Sequence, residues 1–237
     1  MGRCNAMDAF DPALLQAQTA ALLHDAIPVQ QVAAPTFAER ARAEMVERRF
    51  AELGLKDVSR DGMDNVLGRL PGGGGPGLLV SAHLDTVFGP GTDLSVRHEG
   101  GRVHGPGIGD NSLAVAALLA LPRALAAHGL RLPGDLWLAA NVGEEGLGDL
   151  RGMKAVLDAL SGRVGAAVVL EGRGFGSIVH QGIGVRRYRV TVRAPGGQSR
   201  GDFGAPSAVH RAVERGARLN RRAAPEAPRT TFNIGVN

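Results

Sequence analysis

Three short apolar runs govern what this chain can fold into: LLVSAH at 78–83, LWLAAN at 136–141 and AAVVL at 166–170. Each is too short for a helix of ordinary length and is bounded by glycine, proline or charged residues, the pattern of a strand buried on both faces. A further strand is expected at 66–70, ahead of the flexible turn PGGGGPG at 71–77. Helical spacing fills the gaps at 110–127 and 150–160, with Pro122 expected to kink or break the first of these. Strands alternating with helices predict an α/β layered domain.

Two helices are expected before the first strand. One covers 11–27, with Asp11 as N-cap before Pro12. The other starts at Thr36, which with Glu39 three residues on makes a capping box, and runs to Leu53, where Gly54 stops it. From Ile178 the character changes. Residues 185–193 alternate imperfectly, like a half-exposed strand, and a helix near 205–222 and a strand near 230–236 follow. A domain boundary is therefore expected near 181–184, dividing the chain into 1–181 and a unit of 182–237 that is short for an independent fold.

Composition narrows the function classes. Aromatics are 4% of the 237 residues, so leucine, valine and alanine must build the core that a 44% apolar chain can bury. The single cysteine, Cys4, excludes a disulfide framework and a cysteine-based zinc finger. The N-terminus lacks the apolar segment of a signal peptide, and no later run reads as long enough to cross a bilayer. A soluble cytoplasmic protein with no membrane partner is the expectation. A pI near 10.1 would suit a nucleic-acid partner. The 27 basic residues, all arginine except Lys56 and Lys154, are instead scattered among acids, so none is expected.

The chemistry-bearing residues follow the apolar runs, where open α/β sheets place their sites. In Ser81-Ala82-His83-Leu84-Asp85, positions i and i+2 of a strand share a face, so His83 and Asp85 can point into one cleft. A metal-bound imidazole needs an acceptor on its second nitrogen, and Asp85 is a candidate. The pair alone is a weak signal, and a polar loop with one surface histidine is the plainer reading of it. Asp110, in GPGIGDNS at 105–112, is either a helix N-cap or a ligand. The patterns of phosphate-binding loops are absent there. Glu144 and Glu145 directly follow the run at 136–141. Adjacent carboxylates diverge, so one can hold a cation while the other serves as general base; a solvated acidic turn is the alternative. Glu171 ends the third run, as a ligand or an ordinary loop acid. One histidine and several carboxylates make a nitrogen–oxygen site suited to Zn²⁺, Co²⁺ or Mn²⁺.

These segments, SAHLDTV (81–87), GPGIGDNSLAVAAL (105–118), NVGEEGLGDLRG (141–152), VVLEG (168–172) and APGGQSRGDFGAPSAVH (194–210), occur together in one order. In this the chain resembles the dinuclear zinc metallopeptidase family that includes carboxypeptidase G, peptidase T, aminoacylase and succinyl-diaminopimelate desuccinylase. The resemblance implies a three-layer catalytic α/β domain with an inserted α+β lid that dimerises, here beginning at about residue 182. It implies two divalent cations, zinc first and cobalt or manganese next. His83 and Glu171 would ligate the first, Glu145 the second, and Asp110 would bridge them, with a cis peptide to Asn111. Glu144 would be the general base and Asp85 the residue orienting His83. The expected activity is hydrolysis of an amide bond in a small peptide or N-acyl amino acid through a metal-activated water, in a homodimer formed by the lid.

Two departures accompany the resemblance. Gln198 stands where the family's lid motif usually has a histidine that stabilises the oxyanion. Family members also continue further and supply a last ligating histidine, for which neither His180 nor His210 is assigned. A fragment or truncated gene product that self-associates through unpaired edges is thus expected. The alternative reading is a catalytically incomplete fragment that serves as a binding or oligomerisation module.

Overall fold

A computed structural model describes residues 12–172 and 176–235 of the chain. Cys4 and the Asp11 cap lie outside the described residues. The chain divides into two compact units, Met1–Phe175 and Gly176–Asn237.

The first unit is built on a mixed five-stranded sheet. Its strands are β1 (Lys56–Arg60), β2 (Val66–Leu70), β3 (Gly75–His83), β6 (Gly134–Asn141) and β7 (Val164–Val169), in the spatial order β1-β2-β6-β3-β7. β4 (Arg97–Glu99) and β5 (Arg102–His104) form a separate hairpin. β3 runs parallel to both β6 and β7, while β2 is antiparallel to β6 and to β1. Four helices accompany the sheet: α1 (Pro12–Gln30), α2 (Arg40–Glu52), α3 (Leu113–Ala127) and α4 (Arg151–Ala159). The expected α/β class is what forms.

The core follows from side-chain periodicity. Val80, Ala82 and Leu84 alternate onto one face of the sheet with Leu136, Leu138 and Ala140 of β6. The buried stripe Ala43, Val46 and Phe50 of α2 and Val115 and Leu118 of α3 pack there. Leu79, Trp137 and Ala139 point the other way, onto Val156 and Leu160 at α4. Burying each such large apolar side chain stabilises the fold by about 1.5–3 kcal/mol.

Several expectations change. β7 is an edge strand rather than a buried one, with Val168 47% and Val169 54% exposed. An apolar run reports what a strand can bury, not whether anything covers it. Pro122 does not break α3: it sits buried on the helix's core face. The stretch 108–127 is long and apolar enough in composition to cross a membrane, contrary to the reading of the sequence. Its Val115, Leu118 and Leu119 are nevertheless buried in the core, as in the central helix of a globular domain. The capping box does not form. α2 begins at Arg40, and neither Thr36 nor Glu39 makes a cap bond to it, because both side chains are engaged elsewhere.

The second unit carries one helix among its described residues, α5 (Ala208–Asn220), capped by Ser207, whose hydroxyl accepts from His210 N. Neither 185–193 nor the described part of 230–236 is a strand. Alternation marks which residues would share a face, but a strand exists only where a neighbour supplies ladder hydrogen bonds.

Candidate metal centre

Parallel pairing brings the ends of three strands level. His83, the last residue of β3, pairs with Asn141, the last of β6, and Ser81 pairs with Val169 of β7. Leu170 N donates to Ser81 O at 2.8 Å, so Glu171 emerges beside His83. Glu144 and Glu145 follow the end of β6. Asp110 arrives from the loop before α3. It does not cap α3, which starts three residues later with Ser112 at the N-cap position; the Asp110 backbone is extended (φ −121°, ψ 94°). The Asp110–Asn111 peptide is cis. The neighbouring glycines are there for space and dihedral. Gly107 has φ +70°, and a Cβ on Gly172 would collide with Gly109 O.

The five residues converge. His83 Nε2 lies 3.1 Å from Asp110 Oδ1 and 3.8 Å from Glu171 Oε2. One ligand atom from each of His83, Asp110 and Glu171 falls within a mutual 4.8 Å, and the same holds for His83, Glu144 and Glu145. His83, 2% exposed, thus belongs to two overlapping clusters. Its Nδ1 is 3.0 Å from the backbone oxygen of Asp85, and the Asp85 carboxylate is farther, at 3.6 Å. An Nδ1–H donated to that carbonyl presents Nε2 to the carboxylates.

The fully buried carboxylate of Asp85 is occupied otherwise. Glu144 N donates to its Oδ1 at 3.0 Å, Glu145 N to its Oδ2 at 2.9 Å and Thr36 Oγ1 to the same Oδ2 at 3.0 Å. Asp85 therefore holds the Glu144–Glu145 backbone as well as flanking the imidazole. Burial opposes its ionisation, but His83 and these backbone donors keep its pKa below the usual carboxylate value.

Reading the sequence missed Thr36, Glu39, Arg42 and Asn65 as parts of this region. Arg42 is buried and donates to Leu84 O (2.7 Å), Val32 O (2.9 Å) and Gln30 O (3.4 Å), tying α2 to the segment that follows β3. Burial lowers its pKa to about 10, against the pull of nearby Asp85. The one available signal was a misread one: Thr36 and Glu39 have the right types and spacing for a helix cap.

Charge is concentrated here. Burial alone would lower the His83 pKa, but the carboxylates of Asp85 and Glu171 outweigh it and raise it to about 10. Glu144 and Glu145 are both raised, chiefly by burial. After burial, His83 acts most on Glu144, and Asp110 acts most on Glu145. In the chain without cations, His83 is then an imidazolium serving its carboxylate neighbours. Its folded pKa exceeds its unfolded value of about 6.5, so the stability it contributes is complete below pH 6.5 and is lost as pH rises towards 10. Thermal melts in chelator should therefore show Tm falling from pH 7 to pH 10 more steeply in the wild type than in His83→Gln. Parallel slopes would show that the imidazole is not raised.

The donor set, one imidazole and four carboxylates with no thiolate, fits hard to borderline divalent cations such as Zn²⁺, Mn²⁺ or Co²⁺. An α/β sheet whose parallel strand ends converge on such a cluster offers a candidate metal centre. Residues 79–228 match the model of Peptidase family M20/M25/M40, and the chain belongs to that family of metal-dependent peptidases. It is 36% identical over 84 residues to carboxypeptidase G2 of Pseudomonas sp. (strain RS-16), a match covering 35% of this chain and 20% of that protein. In fold it is similar to the aminopeptidase PepT of Bacillus cereus (TM-score 0.56, 23% identity, 65% of this chain and 43% of that one). It is also similar to a di-peptidase of Saccharomyces cerevisiae (TM-score 0.55, 12% identity, 67% of this chain and 40% of that one). In each case the match takes in less than half of the relative's length.

Proposed function

We propose that this chain hydrolyses an amide bond in a small peptide or N-acyl amino acid, using two divalent cations, zinc by first choice. The observation that carries this reading is the convergence of His83 with Asp110, Glu144, Glu145 and Glu171 at the ends of the parallel strands. His83 and Glu171 would hold one cation, Glu145 the other, and Asp110 both. The assignment of Glu145 to the second cation, and of Asp110 to both, is what the resemblance implies. When bound, the cations supply Lewis-acid polarisation of the scissile carbonyl and a water acidic enough to ionise near neutral pH.

Glu144 is assigned the proton. Its pKa is raised by burial, which makes its carboxylate a stronger base than an exposed glutamate. It takes a proton from the attacking water and delivers it to the amine as the C–N bond breaks. The water oxygen stays on the carbonyl carbon, and a carboxylic acid and an amine leave. Residues from about 182 onward are read as the beginning of a lid through which two chains pair. Gln198, exposed in the second unit with its backbone N bonded to Asp202, would donate a neutral hydrogen bond where the resemblance implies a histidine.

The test is turnover of a panel of dipeptides and N-acyl amino acids by metal-loaded chain. Hydrolysis that is removed by a chelator and restored by Zn²⁺, Co²⁺ or Mn²⁺ is expected. A loaded chain that cleaves none of them favours the binding or oligomerisation reading.

A further inference from the structure

The loop that carries Glu144 and Glu145 is held in an unusual way. Four consecutive backbone N–H groups, 142 to 145, each donate to a side chain from a distant part of the chain. Val142 N donates to Asn65 Oδ1 (3.0 Å) and Gly143 N to Glu39 Oε1 (3.1 Å). Glu144 N and Glu145 N donate to the two oxygens of Asp85, as described above. None of these bonds belongs to a helix or a sheet ladder. The loop's course is therefore written by three side chains, all of them buried: Glu39 is 3% exposed, Asn65 and Asp85 0%.

Glu39 is the member whose presence needs a reason. A buried carboxylate is costly unless it is paired and hydrogen-bonded. Its other oxygen lies 3.9 Å from Arg151 Nη2. The Arg151 guanidinium in turn sits 4.4 Å from the ring centroid of Phe37, two residues before Glu39. The arginine stem also roofs Gly143: a Cβ there would meet Arg151 Cγ at 2.8 Å, and Gly143 has φ +61°. Glu39 thus takes the Gly143 N–H beneath the Arg151 stem, with Phe37 against the guanidinium, while Asp85 takes the next two N–H groups.

We infer that Glu39, with Arg151 as its counterion, is a positioning residue for the centre: it fixes the backbone at Gly143 and so aims the Glu144 and Glu145 carboxylates at His83. The inference rests on the metal reading proposed above. Glu39 touches no cation or substrate itself. Its effect is transmitted through one N–H, and the bond geometry predicts how each substitution behaves. Glu39→Ala removes the acceptor of the Gly143 N–H and the carboxylate facing Arg151. Glu39→Gln keeps a carbonyl oxygen for Gly143 N and loses only the charge towards Arg151.

Two measurements on the same variants test this, neither of which needs turnover. The first is amide hydrogen exchange of the metal-free chain. Glu39→Ala should speed exchange at 142–146 by about tenfold or more, with β3 and α3 unchanged, and Glu39→Gln should restore most of the protection. The second is Co²⁺ titration followed by visible absorption. Glu39→Ala should weaken uptake by about 10–100-fold and alter the cobalt spectrum, with Glu39→Gln close to wild type, the range seen for groups that orient metal ligands. Unchanged exchange at 142–146, or loosening spread over the whole domain, overturns the inference. So does a faster loop with unaltered Co²⁺ affinity and spectrum. A wild-type chain that takes up no Co²⁺ overturns the metal reading and with it the purpose assigned to Glu39; the exchange data would then report the loop contact alone.

Discussion

Glu144→Gln should lower peptide hydrolysis by about 10²–10⁴-fold, the usual contribution of a positioned general base, while leaving cation uptake intact. The substitution keeps the side chain's size and removes only its capacity to accept a proton. The loop should not move, because Asp85 holds residue 144 by its backbone N–H and not by its side chain. Metal content by elemental analysis and kcat on one dipeptide, measured on the same preparation, separate the two effects. Wild-type turnover by the variant would remove Glu144 from the chemistry. Loss of cations in parallel with turnover would make it a ligand, exchanging its role with that of Glu145.

His83→Ala should abolish uptake of the cation that His83 and Glu171 would hold, and weaken uptake of the other through Asp110, which is assigned to both. The wild type should carry about two cations per chain and the variant no more than one, a larger effect than the about 10–100-fold loss that follows changes to groups behind the ligands. The metal-free variant should also be less stable, because Asp85, Asp110 and Glu171 lose the imidazolium beside them. Unchanged metal content in His83→Ala would move the centre elsewhere in the chain.

The legible part of this protein lies where a one-dimensional pattern has a direct structural meaning. The apolar runs at 78–83, 136–141 and 166–170 became β3, β6 and β7, since a short continuous apolar segment between turns has few other uses. Residues just past such strands share one edge of a parallel sheet, so His83, the Glu144–Glu145 pair and Glu171 could be singled out before any contact was known. Asp110 stood out only through its company. Its glycine-rich surroundings also fit a helix cap, and the three-dimensional path of 108–112 brought its carboxylate to His83 instead.

Tertiary structure decided what the pattern left open. It placed β7 at the sheet edge, because coverage depends on elements remote in sequence. It left 185–193 without strand pairing, because a ladder needs a partner as well as a pattern. Above all it redirected Thr36 and Glu39 from a helix cap they are suited to by type and spacing. A side-chain oxygen binds whichever unsatisfied donor lies nearest in space, and here those positions face Asp85 and Gly143, 49 and 104 residues away in the chain. Sequence by itself thus determined the α/β class and singled out the histidine and carboxylates that the fold brings together. The fold alone determined which groups hold them in place, since hydrogen bonding depends on distance and direction in space and not on separation along the chain.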